Sequence, residues 1–160
     1  MSEAIQTKID DGIRWILDSG IYNGEQSVIE IYGGLNAYYD IERGVYPFVY
    51  TEITGYAISL FAQLYRYSGK AVFLQRAQCS ANWLINVMRY TGEDKNALGS
   101  FAWAYDFKEG KQLKAYSFDC GVCAKALLDL YEITHDDQYL SQAKETLHWL
   151  TQVMQNEDGS

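Results

Sequence analysis

The chain has 160 residues, a formal net charge of −8, 48% hydrophobic and 15% aromatic residues, and three cysteines. That length and apolar content suit one domain with its own core and exclude a disordered chain. The carboxylate excess, with no run of Lys or Arg against it, argues against nucleic acid and anionic membrane as partners, and no stretch approaches the ~18 apolar residues of a membrane span.

The opening MSEAIQTKIDDG lacks an apolar h-region, and three cysteines are an odd number. Reduced thiols and a cytoplasmic location are therefore expected. Ile5, Ile9, Ile13 and Ile16 form one stripe around Trp15, predicting a first amphipathic helix. A long link of roughly 30 residues follows, carrying YGGLNAYYDIERGVYPFVY. Ile53–Tyr67 then reads as a helix apolar almost all round, polar only at Ser59, Gln63 and Arg66. Such a helix belongs inside, and Thr51 would cap it.

After SGK at 68–70 comes an outer helix through Trp83 to Met88. A second long link, 91–116, carries GSFAWAYDFKEGKQLKAY. A β-hairpin is expected there, pairing Phe101–Tyr105 with Gln112–Tyr116 about a Lys108–Lys111 turn. Ser117 would cap a second inner helix, whose Val122–Ile133 is polar only at Lys125, Asp129 and Glu132. THDD at 134–137 leads to a last outer helix with Tyr139, Leu140, Ala143, Leu147, Leu150 and Met154 on its apolar face. Leu60, Leu64, Ala126 and Leu130 should therefore be more buried than Gln75, Arg76, Lys144 or Glu145.

Residues from 51 to 88 align without a gap on those from 117 to 154, at a spacing of 66. Tyr65 falls on Tyr131, Leu74 on Leu140, Ala77 on Ala143, Trp83 on Trp149 and Met88 on Met154. Trp15 matches Trp83 in the first helix. The repeat bears on the CxxC of SFDCGVC, because Cys120 falls on Thr54 and Cys123 on Ala57. Those are small residues of a helix's first turns. A redox CxxC needs a βαβ context, and a zinc site needs more Cys or His at suitable spacing. Neither pattern is present, so buried thiols with no disulfide among Cys79, Cys120 and Cys123 are expected, although a helix N-terminus lowers a thiol pKa.

The inner-to-outer links are short and the outer-to-inner links long, so both aromatic loops lie at one end, above the inner-helix N-termini. Alternating inner and outer helices of this kind, with YTEITGYAISLFAQLYRYSG as an inner helix, resemble the α/α-toroid or six-hairpin glycosidase-like superfamily, and within it uncharacterised toroid proteins of polysaccharide gene neighbourhoods. The resemblance implies an all-α fold: a partial α/α toroid of about five long helices with two long loops at one end, residues 1–160 forming a single domain. Five helices do not close such a ring. The expectation is a fragment or incomplete barrel, completed by self-association or by a missing C-terminal segment.

The superfamily includes glycoside hydrolases, polysaccharide lyases and sugar epimerases, so the resemblance implies a carbohydrate-active or carbohydrate-binding domain with a saccharide ligand. The alternative is a non-catalytic helical-repeat module for protein–protein interaction. Glu52, Asp119 and Asp106 are the candidate catalytic carboxylates, since glycoside hydrolysis needs one protonated acid and one ionised partner. Helix dipoles should keep Glu52 and Asp119 ionised, and first-turn acids are also common as plain dipole partners. Trp103, Tyr39, Tyr105, Tyr38 and Tyr116 are the candidate substrate-binding aromatics, with Arg43 available for an acidic sugar. His135 and His148 fall off the loop end, no phosphate loop surrounds Gly33-Gly34, and neither a metal nor a cofactor is expected.

Overall fold

The computed structural model describes residues 3–25 and 27–159; Met1, Ser2, Gln26 and Ser160, all inside the expected single domain, lie outside the described residues. Five long helices follow one another: α1 (Glu3–Asp18), α2 (Thr51–Ser68), α3 (Ala71–Trp83), α4 (Ser117–Thr134) and α5 (Asp137–Trp149). α3 and α5 each widen into a π-helical turn, Leu84–Met88 and Leu150–Met154. Between the helices β1 (Phe48–Tyr50), β2 (Ala104–Asp106) and β3 (Gly110–Gln112) form a small antiparallel sheet in the order β1-β2-β3. The expected hairpin is present as β2 and β3, shorter than anticipated, with Ala104 opposite Gln112 and Asp106 opposite Gly110.

α2 and α4 pack side by side as the inner pair, with α3 against α2 and α5 against α4. Ile58, Phe61, Trp83, Met88, Leu127 and Leu130 fill the space between these layers. Each such side chain contributes roughly 1.5–3 kcal/mol on burial. α1 buries no residue completely and is therefore the least firmly held helix. Only Ile13, Ile16 and Leu17 of α1 pack against the core. Trp15 is exposed, unlike Trp83, so its match to Trp83 does not extend to its role.

The repeat runs through the long loops as well. The Trp83 indole donates to the Glu30 carbonyl at 2.8 Å, and the Trp149 indole to that of Asn96 at 2.7 Å. The Ser80 hydroxyl donates to the Gly33 carbonyl, and that of Thr146 to Gly99. Each of these pairs is related by the same 66-residue step. Gly33 and Gly99 both have positive φ and lie flat on the carbonyls of Cys79 and Glu145. A buried hydroxyl on each outer helix, that of Ser80 or Thr146, thus holds a long loop in place, which explains why Thr146 is buried on α5. Tyr139 and Ala143 of the expected apolar face are buried, while Leu147 and Met154 of that face are exposed.

Cys120 does what Thr54 does. The Thr54 hydroxyl accepts from the backbone N–H of Leu35 at 2.9 Å, and the Cys120 thiol accepts from that of Phe101 at 3.4 Å. The Cys123 thiol donates to the Thr51 carbonyl. All three cysteines are free. Burial pushes the Cys120 thiol up to about 11 and raises that of Cys123 too, so desolvation outweighs the helix dipole and both are unreactive thiols. A thiol-alkylating reagent is expected to add once to the folded chain, at the partly exposed Cys79, and three times after denaturation. Rapid labelling of Cys120 in the native state, read by mass spectrometry, would count against a structural role.

Two other expectations are corrected. Thr51 and Ser117 are the first helical residues, preceded by extended Tyr50 and Tyr116, and neither N-cap residue makes a side-chain cap bond. Thr51 instead gives its hydroxyl to the Ala102 carbonyl. Ala126 and Leu130 are fully buried, but Leu60 is 39% exposed, and Leu64 and Arg76 are both half-buried. α2 is covered by α4 on one flank and α3 behind, while its other flank, along Tyr56, Leu60 and Gln63, is open.

Candidate functional site at the loop end

Strand alternation sorts the loop aromatics onto two faces. Val49 points into the core, and Phe48 and Tyr50 point the other way. Tyr105 is the register partner of Val49 and packs against the core, so it is not beside Trp103 on the open face. On that face the rings meet edge to face. Trp103 lies 5.4 Å from Phe48, 5.9 Å from Tyr50 and 6.4 Å from Tyr116, and Tyr38 lies 6.0 Å from Phe48. A cavity of about 100 Å³ opens between Phe48, Trp103, Asp106 and Gln112.

The belt leads to the carboxylates. α2 and α4 start side by side, because Gly55 lets Val122 and Cys123 approach within contact distance. Glu52 and Asp119 are in the first turns of the two helices. The Tyr50 hydroxyl interacts with both, and burial followed by the hydrogen bond to Glu52 raises its pKa. Asp119 is 4% exposed, and its Oδ2 is buried without a hydrogen-bond partner among the described residues. Burial, then the charge of Glu52, raises the Asp119 pKa, against the opposing hydrogen bond from Tyr50. The helix dipole does not keep Asp119 in the usual carboxylate range, contrary to expectation, because desolvation is the larger effect. A carboxyl group biased toward its protonated form next to a second carboxylate can donate a proton while the other accepts one.

Of the remaining candidates, Asp106 lines the belt cavity and the others are placed elsewhere. Asp106 accepts from the backbone N–H groups of Lys108 and Glu109 in the β2–β3 turn, and these bonds, that of Glu109 first, lower its pKa. Tyr39 packs on Tyr46 at 5.1 Å. Arg43 is exposed on a turn, paired with Asp40 at 3.6 Å. Phe48 and Tyr50 belong to the belt; Phe48 carries no expectation from the sequence, and Tyr50 counts there among the loop-end aromatics without being singled out for stacking. A signal for Tyr50 exists in the sequence: its repeat mate is Tyr116, and each directly precedes an inner helix.

Larger cavities of about 270 and 260 Å³ lie beside Ile29 and Tyr32 and beside Ser117, Leu150 and Met154, and two more lie away from this end. One of about 470 Å³ separates α1 from the C-terminal half of α2, and one of about 380 Å³ lies outside α3 beside Tyr22, Arg76 and Cys79. The loop end carries both the aromatic belt and the buried Asp119, although its own cavity is lined by Asp106 and Glu109 and not by Asp119 or Glu52. Among the described residues no group of three His, Cys, Asp or Glu side chains could hold a metal ion, and no helix is long and apolar enough to cross a membrane.

No family model and no curated protein matches the chain. Solved structures do. A family 76 glycoside hydrolase (mannosidase) from Bacteroides thetaiotaomicron superposes on 94% of the chain with a TM-score of 0.70 at 15% identity. A cellobiose 2-epimerase from Bacillus thermoamylovorans matches 96% with a TM-score of 0.71 at 17% identity.

The chain has the α/α-toroid fold.

An inactive variant of a family 76 α-1,6-mannanase from Salegentibacter sp., bound to α-1,6-mannotriose, matches 91% of the chain with a TM-score of 0.69 at 16% identity. The chain spans 38–40% of the length of these three toroids. The mannanase was inactivated at two adjacent aspartates. The adjacent pairs of the present chain are Asp10-Asp11 on α1 and Asp136-Asp137 at the start of α5. Asp136 caps α5 by accepting from the Gln138 N–H, at the end of α4 away from the aromatic belt.

Proposed function

We propose that the loop end binds a saccharide and that Asp119 and Glu52 act on it as an acid–base pair, as in glycoside hydrolysis. One observation carries this reading: Asp119 is nearly inaccessible, with one carboxylate oxygen unpartnered, beside a second carboxylate at the end of an aromatic belt. A buried carboxylate with an unpartnered oxygen costs stability, and a module needed only for protein contacts has no use for one. In this scheme Asp119 protonates the leaving glycosidic oxygen, and Glu52 takes the proton of the attacking water or attacks the sugar itself. Trp103, with Phe48 and Tyr116, offers the faces on which sugar C–H groups stack, and Tyr38 extends the platform. The neighbouring toroids support a saccharide, since the mannanase holds a mannotriose and the epimerase is named for cellobiose.

The test is a titration with α-1,6-mannooligosaccharides and cellooligosaccharides followed by NMR. Shifts are expected at the Trp103 indole and the backbone of 48–52 and 116–120, and Trp103→Ala should weaken binding at least tenfold, about 1.4 kcal/mol. Shifts confined to 68–71 and 134–137 would place the ligand at the opposite end and refute the assignment.

A further inference from the structure

The α2–α4 contact is one step of the repeat, and both outer flanks of the pair present the halves of a second such step. On α2 the contact uses Gly55, Ser59 and Arg66; on α4 it uses Val122, Asp129 and Glu132. The repeat mates of the α4 residues are Tyr56, Gln63 and Arg66, and the ridge Tyr56, Leu60, Gln63 and Tyr67 is open on α2. The mates of the α2 residues on α4 are Gly121, which is half-buried, and Lys125 and Glu132, which are exposed.

Gly121 is the telling residue. A Cβ on Gly55 would lie 3.0 Å from Val122 Cγ1, so α4 requires that glycine. A Cβ on Gly121 would meet only Leu150 Cδ1, at 3.9 Å. A glycine inside a helix destabilises it relative to alanine, and nothing among the described residues requires this one.

We propose that the α4 flank receives the α2 flank of a second copy of this chain, head to tail. Tyr56 of one copy would fill the slot over Gly121 of the next, and Gln63 would face Lys125. Charge fits the same step. Arg66 and Glu132 hold the same repeat position and pair at 2.6 Å within the chain, so Arg66 of the second copy continues an alternating ladder along Glu132. α1 precedes α2 in the outer position that α5 of the copy ahead would take. α1 is the one that shifts, because it buries no residue.

Sedimentation velocity from micromolar to submillimolar concentration tests this. The wild type should associate beyond the dimer. Leu60→Asp and Gly121→Glu should each be folded monomers, since Leu60 is exposed and a Cβ at Gly121 meets only Leu150 Cδ1, at 3.9 Å. Their equimolar mixture should give a heterodimer and nothing larger, because one intact α2 flank then meets one intact α4 flank. A monomeric wild type, loss of association in Leu60→Asp alone, or a mixture that stays monomeric overturns the proposal. Should either variant fail to fold by circular dichroism, Tyr56→Asp and Lys125→Glu block the same two flanks and are read by the same outcomes.

Discussion

With Asp119 as the proposed acid, Asp119→Asn is expected to lower saccharide turnover by about 10²–10⁴-fold, the usual contribution of a general acid, while leaving the fold intact. The same variant makes a stability prediction of opposite sign. The folded-state pKa of Asp119 is raised by burial and by Glu52. A raised carboxyl pKa means that the native state holds the proton more tightly than the unfolded chain, so this group's contribution to stability declines as pH rises from the ordinary carboxylate range through the folded value. Asparagine carries no charge to desolvate. The variant should match the wild type in acid and equal or exceed its melting temperature at neutral pH, with the gap opening over that window. If Asp119 acts as the acid, the alkaline limb of kcat against pH should also lie above the ordinary carboxylate range. A variant that keeps full activity and melts earlier at pH 7 would mean that Asp119 is only a dipole partner of α4.

Gly99→Ala should be the most damaging single substitution in the second long loop. Gly99 has φ near +92°, and a Cβ there would lie 2.6 Å from the Glu145 carbonyl oxygen. Left-handed strain alone costs roughly 1–2 kcal/mol, and a backbone atom cannot move aside as a side-chain tip can. A loss of at least about 3 kcal/mol is expected, or about 6–12 °C in melting temperature for a chain of this size. Gly33→Ala should behave alike, since its Cβ would lie 2.4 Å from the Cys79 carbonyl oxygen. Gly69→Ala separates the two causes. Its φ is +67° but nothing lies within 4 Å of the added carbon, so it should lose only the strain. Equal melting temperatures for Gly99→Ala and Gly69→Ala would show that the loop does not rest on α5 as described.

These loops show where sequence reading was effective and where it stopped. Ser59, Gln63 and Arg66 against Lys125, Asp129 and Glu132 mark the polar stripe of each inner helix by helical periodicity, but only the structure pairs Ser59 with Asp129 and Arg66 with Glu132 across the α2–α4 contact. The same 66-residue step also relates GGL at 33–35 to GSF at 99–101. It is only three residues long there, and its meaning depends on an outer helix supplying Ser80 or Thr146 to the loop carbonyl. Leu60 was misjudged for a related reason: an apolar ridge reads the same whether its partner lies in the chain or outside it. Loop aromatics could be counted in sequence, but not assigned to a face. Tyr105 and Trp103 are two residues apart, yet one packs on the core and the other faces the candidate site, because Tyr105 pairs in register with Val49 and Trp103 lies outside the ladder.

The sequence by itself determined the alternation of inner and outer helices, the end at which the loops gather, and the structural nature of Cys120 and Cys123, since each follows from a periodic pattern or an internal copy that local residues carry. Only the tertiary structure decided that Asp119 is a buried carboxylate with a raised pKa. A helix dipole acts through its own segment and favours ionisation at both helix starts alike, whereas desolvation and the charge of Glu52 depend on how closely α2 and α4 approach at Gly55, a distance that no single segment contains.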